Sequence, residues 1–205
     1  LYQGFVLDTD VTALERLAYT PKRHRVLLSD FAKDWYVGGK RGQSYVPRDH
    51  HVAQWAHDWY RFRTEVGAGA GQIRLESRLC LHHELEQGGV INEIRAAMNE
   101  ALLHDNPYRR RALGQVNIFL FGSLAGGTGS GSLLPMAYLL RQLARERNQQ
   151  AKLYGCVILP GAFTNEVPGC QREDIEANGY AALMEIEHLM RLGQAGADSP
   201  DELTF

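Results

Sequence analysis

The chain has few cysteines, almost no net charge and no long apolar run. Three cysteines among 205 residues are too few for a disulfide framework, which favours reduced thiols. A formal charge of −2 gives no overall field for nucleic acid or an anionic membrane. No apolar run approaches the roughly 18 residues that a membrane-spanning helix needs. These absences predict a cytoplasmic protein with no membrane insertion and no nucleic-acid partner.

Apolar strands alternate with amphipathic helices along the chain. Strands are predicted at "GFVLDT", "RVLLSDF", "VNIFLFGSL" and "AKLYGCVILP". Helices are predicted over 10–19, 50–65, 73–104 with a break near residue 88, 130–147 and 173–192. The last helix is expected to bury Ile175, Tyr180, Leu183, Ile186 and either Leu189 or Met190. This alternation predicts an α/β fold, with a mainly parallel sheet and helices on both faces, in a single domain over residues 1–205.

The segment "GSLAGGTGSGS", residues 122–132, holds five glycines in eleven positions between a strand and a helix. Glycine lets a backbone take positive φ and approach a ligand closely. A helix N-terminus adds unpaired N–H groups and a positive dipole end, and Thr128 and Ser130 add hydroxyl groups. The segment therefore predicts an anion cradle, which is most often a phosphate site. A flexible tight turn without a ligand is the alternative.

Two common phosphate loops do not fit this segment. No Lys-Ser or Lys-Thr pair follows it, which excludes a Walker A loop. Reading from Gly127, a dinucleotide fingerprint would need glycine or alanine where Ser132 or Leu133 stands. The acid expected about 20 residues later for a nicotinamide cofactor is missing from "QQAKLYG". A nicotinamide-dependent oxidoreductase is therefore the weaker alternative.

The residues "GGTGSG", Gly126–Gly131, resemble the signature of the tubulin and FtsZ superfamily, which follows an apolar strand and precedes a long helix. Ala125 stands where the family usually has a further glycine. The stretch "LDTDVTAL" resembles a second family pattern at the end of a strand. Thr9 and Asp10 match that pattern, and Asp8 replaces its asparagine.

Two more stretches extend the resemblance in the family's order. "GAGAGQIRLESR" resembles a Gly-Ala-Gly loop, here Gly69–Gly71, with Arg78 on the helix behind it. "GCVILPGAFTNEVPGCQREDIEANGYAAL" resembles the strand, ribose-contacting loop and helix that follow the signature. Glu166 and Arg172 are the candidates for the acidic and basic residues of that loop. The resemblance covers about residues 5–192.

The resemblance implies a Rossmann-like domain that binds a guanine nucleotide, with GTP or GDP and Mg²⁺ as cofactors. The phosphates would lie on the signature, while the Thr9–Asp10 turn and the loop over 67–71 would close over the γ-phosphate and Mg²⁺. The implied nucleotide-contacting residues are Thr9, Asp10, Gly67, Ala68, Gly69, Ala70, Gly71, Ala125, Gly126, Gly127, Thr128, Gly129, Ser130, Gly131, Glu166 and Arg172. No catalytic residue is identified.

The resemblance also implies head-to-tail self-association into filaments, because an acidic loop of one subunit in the family reaches the nucleotide of the next. The family's first loop is expected before Leu1, and its base-contacting loop, central helix and acidic loop after Phe205. The long stretch over 20–62 favours a divergent prokaryotic relative. A GTP-binding sensor or scaffold that neither polymerises nor turns over is the alternative.

Histidines occur in two groups that do not have the spacing of helical metal ligands. One group is at positions 50, 51 and 57, and the other comprises His82 and His83 near Cys80. Surface or loop histidines are the simpler interpretation, and no protein metal site is predicted.

Overall fold

The structure, a computed structural model, describes residues 4–21, 24–30, 55–56, 60, 62, 66–67, 69–103, 115–146 and 150–194. Most of the predicted helix over 50–65 and the candidate Ala68 lie outside these residues. The elements in chain order are β1 (Val6–Asp8), α1 (Val11–Glu15), β2 (Arg25–Leu27), α2 (Arg74–Gln87), α3 (Gly89–Leu103), β3 (Gln115–Ser123), α4 (Gly127–Arg145), β4 (Gln150–Ile158), a 3₁₀ turn (Pro160–Ala162) and α5 (Gly169–Gln194).

Within the described residues, the strands form two parallel pairs. β1 pairs with β2, starting with Val6 opposite Arg25. β3 pairs with β4 over nine residues, and Ser123 lies opposite Ile158 at the carboxyl end. Parallel pairing requires a crossover connection, which is helical in α/β proteins, and α4 supplies it between β3 and β4. The predicted α/β class with parallel strands is confirmed.

The helix predicted over 73–104 is broken at Gly88, as expected. Gly88 has a φ of +75°, the left-handed conformation that commonly ends helices at glycine. Its N–H group donates to the carbonyl oxygens of Glu84 and Leu85, each at 3.2 Å. α3 begins at the next residue, so the chain changes direction there without an intervening loop.

The main core lies between α2, α3 and α4 and one face of the strands. β3 shows the alternation of a half-covered strand, with Ile118 and Leu120 packed against this core. Phe119 and Phe121 point to the other face and are 58% and 72% exposed. The buried members of the core are Leu28, Cys80, Leu81, Val90, Ile94, Met98, Met136, Leu139, Leu140, Leu143 and Ala144.

The outer face of β3 and β4 is apolar and exposed in the part of the chain that the structure describes. Phe119 stacks on Tyr154 with ring centroids 5.0 Å apart. Ile158, which has the same parity as Tyr154 along β4, is also exposed. Among the described residues only one face of β4 is covered, because α2, α3 and α4 lie on the opposite face.

The predicted inward face of the last helix is wrong in part. Ile175 is buried and Ile186 and Leu189 are half-buried, but Tyr180 and Leu183 are exposed. The buried face of α5 instead carries small and polar residues, among them Asn178, Gly179 and Ala182. A Cβ atom on Gly179 would overlap the ring of Pro160, so the helix approaches its neighbours too closely for large side chains. Apolar periodicity could not reveal this face.

Candidate functional site

The signature glycines form the first turn of α4 rather than a loop before it. Gly126 is the N-cap residue, with φ −84° and ψ 164°, and Gly127 is the first helical residue. The first intrahelical backbone bond runs from the Ser130 N–H to the Gly126 carbonyl, at 3.2 Å. The four N–H groups from Gly126 to Gly129 therefore have no intrahelical partner. Together with the positive end of the helix dipole they have the arrangement expected of an anion cradle, and anion binding there stays a prediction.

Close packing explains three of the four signature glycines. A Cβ atom on Gly127 would lie 2.8 Å from the Ile73 nitrogen. A Cβ atom on Gly129 would overlap the Ser123 carbonyl oxygen, and a Cβ atom on Gly131 would overlap the Arg74 carbonyl oxygen. None of the four has positive φ, so that part of the sequence interpretation is wrong for this segment.

Gly126 differs from the other signature glycines. A Cβ atom at this position would meet no atom within 4 Å in the described structure. Its φ and ψ are also open to any residue. Neither packing nor backbone conformation therefore requires glycine here, whereas close approach of a ligand would.

The three regions predicted to meet are joined by a chain of hydrogen bonds. The Ala70 N–H donates to Thr9 Oγ1 at 2.8 Å. Thr9 Oγ1 lies 2.8 Å from Thr128 Oγ1, and Thr128 Oγ1 donates to Asp8 Oδ1 at 3.2 Å. Each hydroxyl has one proton, and a carboxylate can only accept, so Thr9 is the donor to Thr128. The structure thus brings the strand end, the Gly-Ala-Gly loop and the signature together.

Asp8 is the site residue that the sequence analysis did not select. Its Oδ1 atom also accepts from the backbone N–H groups of Thr9, at 2.7 Å, and Asp10, at 3.2 Å. The replacement of the family's asparagine by an acid at a strand end was the signal that could have identified it. Asp10 has a local role, because its carboxylate caps α1 through the N–H groups of Thr12 and Ala13.

The Gly-Ala-Gly loop is held against the end of β1 by its backbone. The Gly69 N–H donates to the Thr9 carbonyl at 2.9 Å, and the Val11 N–H donates to the Gly67 carbonyl at 3.2 Å. Gly67, Gly69 and Gly71 all have positive φ, so glycine is required here for its conformation. The two glycine-rich segments therefore contain glycine for different physical reasons.

Two side chains of α2 support the first turn of α4. Ser77, which is fully buried, donates to the Thr128 carbonyl at 3.1 Å. The Arg74 guanidinium donates twice to the Ser130 carbonyl, at 3.2 and 3.1 Å, and forms an ion pair with Glu185 at 2.5 Å. These contacts stabilise the cradle from behind, and no sequence motif pointed to them.

Arg78 lies on α2, the helix behind the Gly-Ala-Gly loop, as the resemblance implied. Its guanidinium carbon is 5.1 Å from the ring centroid of Trp55, and its buried Nε has no hydrogen-bond partner among the described residues. Burial lowers the pKa of Arg78, Glu185 opposes that shift and Arg74 adds to it. The side chain packs on an aromatic ring instead of reaching the cradle.

Glu166 and Arg172 do not join the cluster around Thr128. Glu166 is exposed in the turn before α5, where its N–H donates to the Phe163 carbonyl at 2.9 Å. Arg172 is exposed on the first turn of α5. Their contact with a ribose stays a prediction, as does any role of Ala68.

Glycine-rich backbone at a helix N-terminus, at the carboxyl end of a parallel strand, is the arrangement with which α/β proteins bind phosphate. The family described as tubulin-like matches residues 3–204, and the chain belongs to that family. Searches of curated proteins and of solved structures gave no match. At the family level, tubulin-like proteins bind GTP or GDP with Mg²⁺ and self-assemble. None of the described helices has the length and apolarity to cross a membrane.

Proposed function

We propose that this chain binds a guanine nucleotide with its phosphates at the N-terminus of α4. The observation that carries the proposal is the convergence of Thr9, Ala70 and Thr128 beside four N–H groups without intrahelical partners. Gly126 leaves this backbone open to a ligand. Membership of the tubulin-like family supports guanine as the base, since the cradle itself would recognise only phosphate.

In this proposal, the N–H groups from Gly126 to Gly129 donate to phosphate oxygens. The helix dipole favours the negative charge there. Thr128 would turn its hydroxyl proton from Asp8 to a phosphate oxygen. The Gly67–Gly71 loop, which Thr9 holds beside Thr128, would then cover the γ-phosphate end.

The residues around the cradle also fit a magnesium ion that is shared with the nucleotide. The carboxylate of Asp8 and the hydroxyls of Thr9 and Thr128 are oxygen ligands of the kind that Mg²⁺ takes. Among the described residues, no group of three or more His, Cys, Asp or Glu could hold a metal alone. Phosphate oxygens would have to complete the coordination, and the ion, when bound, neutralises phosphate charge during phosphoryl transfer.

We further propose that GTP hydrolysis is coupled to head-to-tail assembly. Support comes from the family and from the resemblance, in which a neighbouring subunit completes the hydrolytic site. A head-to-tail contact that does not close on itself propagates into a filament. The role of this chain would be to position the phosphates, because phosphoryl transfer depends mainly on positioning and electrostatics.

The direct test is to denature the purified protein and identify the released nucleotide by chromatography. We expect GTP or GDP from the wild type and from Thr128→Ser, which keeps the hydroxyl. Thr128→Ala lacks the hydroxyl proposed to donate to a phosphate oxygen and should retain about tenfold less nucleotide, since hydrogen bonds to charged groups contribute about 1.5–3 kcal/mol. Absence of guanine nucleotide, both after release and in titrations with GTP, would contradict the proposal.

A further inference from the structure

α5 presents a stripe of polar side chains to both glycine-rich segments. Gln171, Asn178 and Glu185 follow at intervals of seven residues, about two turns, and so lie on one side of the helix. Gln171 contacts the side chain of Gln72 at 3.3 Å, and Glu185 pairs with Arg74 at 2.5 Å. The side chains of Gln171 and Glu185 are exposed, so solvent weakens what these two contacts contribute to stability.

Asn178 is the buried member of this stripe, with 8% of its surface exposed. Its Nδ2 atom donates to the Gln72 carbonyl at 2.6 Å and to the Ala125 carbonyl at 3.1 Å. An amide nitrogen has two protons, and both are used here. Gln72 directly follows the Gly-Ala-Gly loop and Ala125 directly precedes the signature, so one side chain joins the two segments.

The conformation of Gln72 shows that this position needs support. Gln72 is the one non-glycine residue with positive φ, +62°, among the described residues. Such a backbone costs free energy in residues that have a Cβ atom, and the surrounding contacts must maintain it. The carbonyl group of this residue is the one that accepts the shorter bond from Asn178.

We propose that Asn178 is a positioning residue that fixes the Gly-Ala-Gly loop relative to the first turn of α4, so that a nucleoside triphosphate is bound better than a diphosphate. This inference rests on the proposed function. The diphosphate portion needs only the first turn of α4, whereas the γ-phosphate also needs the loop over 67–71 at a fixed distance. A loosened loop therefore reduces affinity for GTP and leaves affinity for GDP almost unchanged.

The test compares the affinities of wild type, Asn178→Asp, Asn178→Ala and the control Met184→Ala for GTP and GDP. Asn178→Asp places a carboxylate against two carbonyl oxygens, whereas Asn178→Ala only removes the donor. Met184 is exposed on the same helix. We expect both Asn178 variants to weaken GTP binding about tenfold and GDP binding less than about threefold, and the control to change neither. Equal losses for GTP and GDP, or no loss, would overturn the inference.

Amide hydrogen exchange of the nucleotide-free protein gives a second readout. Asn178→Ala should speed exchange in residues 69–73 and 124–129 together, while α3 keeps the wild-type rate. If the wild type bound neither nucleotide, the proposed function would fail, and the exchange rates would still decide whether Asn178 joins the two segments. Unchanged exchange in either segment would refute that connection.

Discussion

At the scale of single residues, Gly126 and Gly129 are close in sequence and differ in what surrounds them. A Cβ atom on Gly129 would overlap the Ser123 carbonyl oxygen, whereas one on Gly126 would meet no atom of the described residues within 4 Å. The first glycine is open on the side where a ligand could approach, and the second is enclosed by the end of β3. A substitution of Gly126 therefore tests binding, and a substitution of Gly129 tests folding.

We expect Gly126→Ala to lose nucleotide affinity and keep its stability. As an N-cap residue, alanine is less favourable than glycine by about 1 kcal/mol. Alanine also restricts the unfolded chain, which raises the free energy of unfolding by roughly 0.4–1 kcal/mol and offsets that loss. Gly129→Ala should lower the free energy of unfolding by about 1–3 kcal/mol or more, because the backbone must move. Urea unfolding measures the free energy of unfolding of each variant, and GTP titration measures its nucleotide affinity.

Gly155→Ala is the matched control, because its Cβ atom would also meet no atom of the described part of the chain within 4 Å and Gly155 lies within β4, away from the cradle. It should retain both stability and binding. Full GTP affinity in Gly126→Ala would show that no ligand approaches this glycine closely.

The sequence predicted that Thr9, Ala70 and Thr128 lie at one site, because each belongs to a motif at the end of a strand or the start of a helix. Asp8 was also marked in the sequence, by an acid where the family has asparagine, but Arg74 and Asn178 could not be selected in the same way. The roles of Arg74 and Asn178 depend on which carbonyl or carboxylate groups face them, and those partners are between 53 and 111 residues away, as for Asn178 with Ala125 and Arg74 with Glu185. Such contacts are set by packing and leave no local pattern.

At the scale of elements, the junction of α2 and α3 contains a carboxylate that caps the second helix. Glu84 Oε1 accepts from the Val90 N–H at 3.2 Å. Burial raises the pKa of Glu84, the bond from Val90 lowers it, and the nearby Asp30 raises it further, with a net rise. The folded state therefore holds a proton on this side chain more tightly than the unfolded state does.

Because the folded pKa is raised, the stabilisation from Glu84 is complete below its unfolded pKa of about 4.3 and is lost as the pH rises through the folded value. Glu84→Gln, which resembles the protonated form, should therefore exceed the wild type in free energy of unfolding at pH 7. The difference should vanish near pH 4. Urea unfolding at both pH values checks this, with Glu93→Gln as the control for loss of an exposed charge. A larger difference at pH 4 than at pH 7 would show that folding lowers the pKa of Glu84 instead of raising it.

Element prediction succeeded where local chemistry decides and failed where packing decides. The break at Gly88 follows from the conformation that glycine allows, and the sequence showed it. The buried face of α5 follows from close contact with Pro160 and with the glycine-rich segments, which selects Gly179 and Asn178 over larger apolar residues. Tyr180 therefore lies outside, although its spacing resembled that of a core residue.

At the scale of the whole molecule, the proposed head-to-tail assembly predicts a dependence on the bound nucleotide. Sedimentation of the wild type should show more assembly with GTP and Mg²⁺ than with GDP. Thr128→Ala should show little change between the two nucleotides, because it binds both weakly. Equal sedimentation of the wild type with GTP, GDP and no nucleotide would favour a GTP-binding sensor or scaffold.

The central claim is that a guanine nucleotide binds at the N-terminus of α4, and nuclear magnetic resonance tests its location directly. Titration of the isotopically labelled protein with GTP and Mg²⁺ should shift the amide signals of Gly126–Gly129 and Ala70, and leave those of α3 in place. ATP at the same concentrations should cause much smaller shifts. Shifts confined to other residues, or none with GTP, would contradict the account.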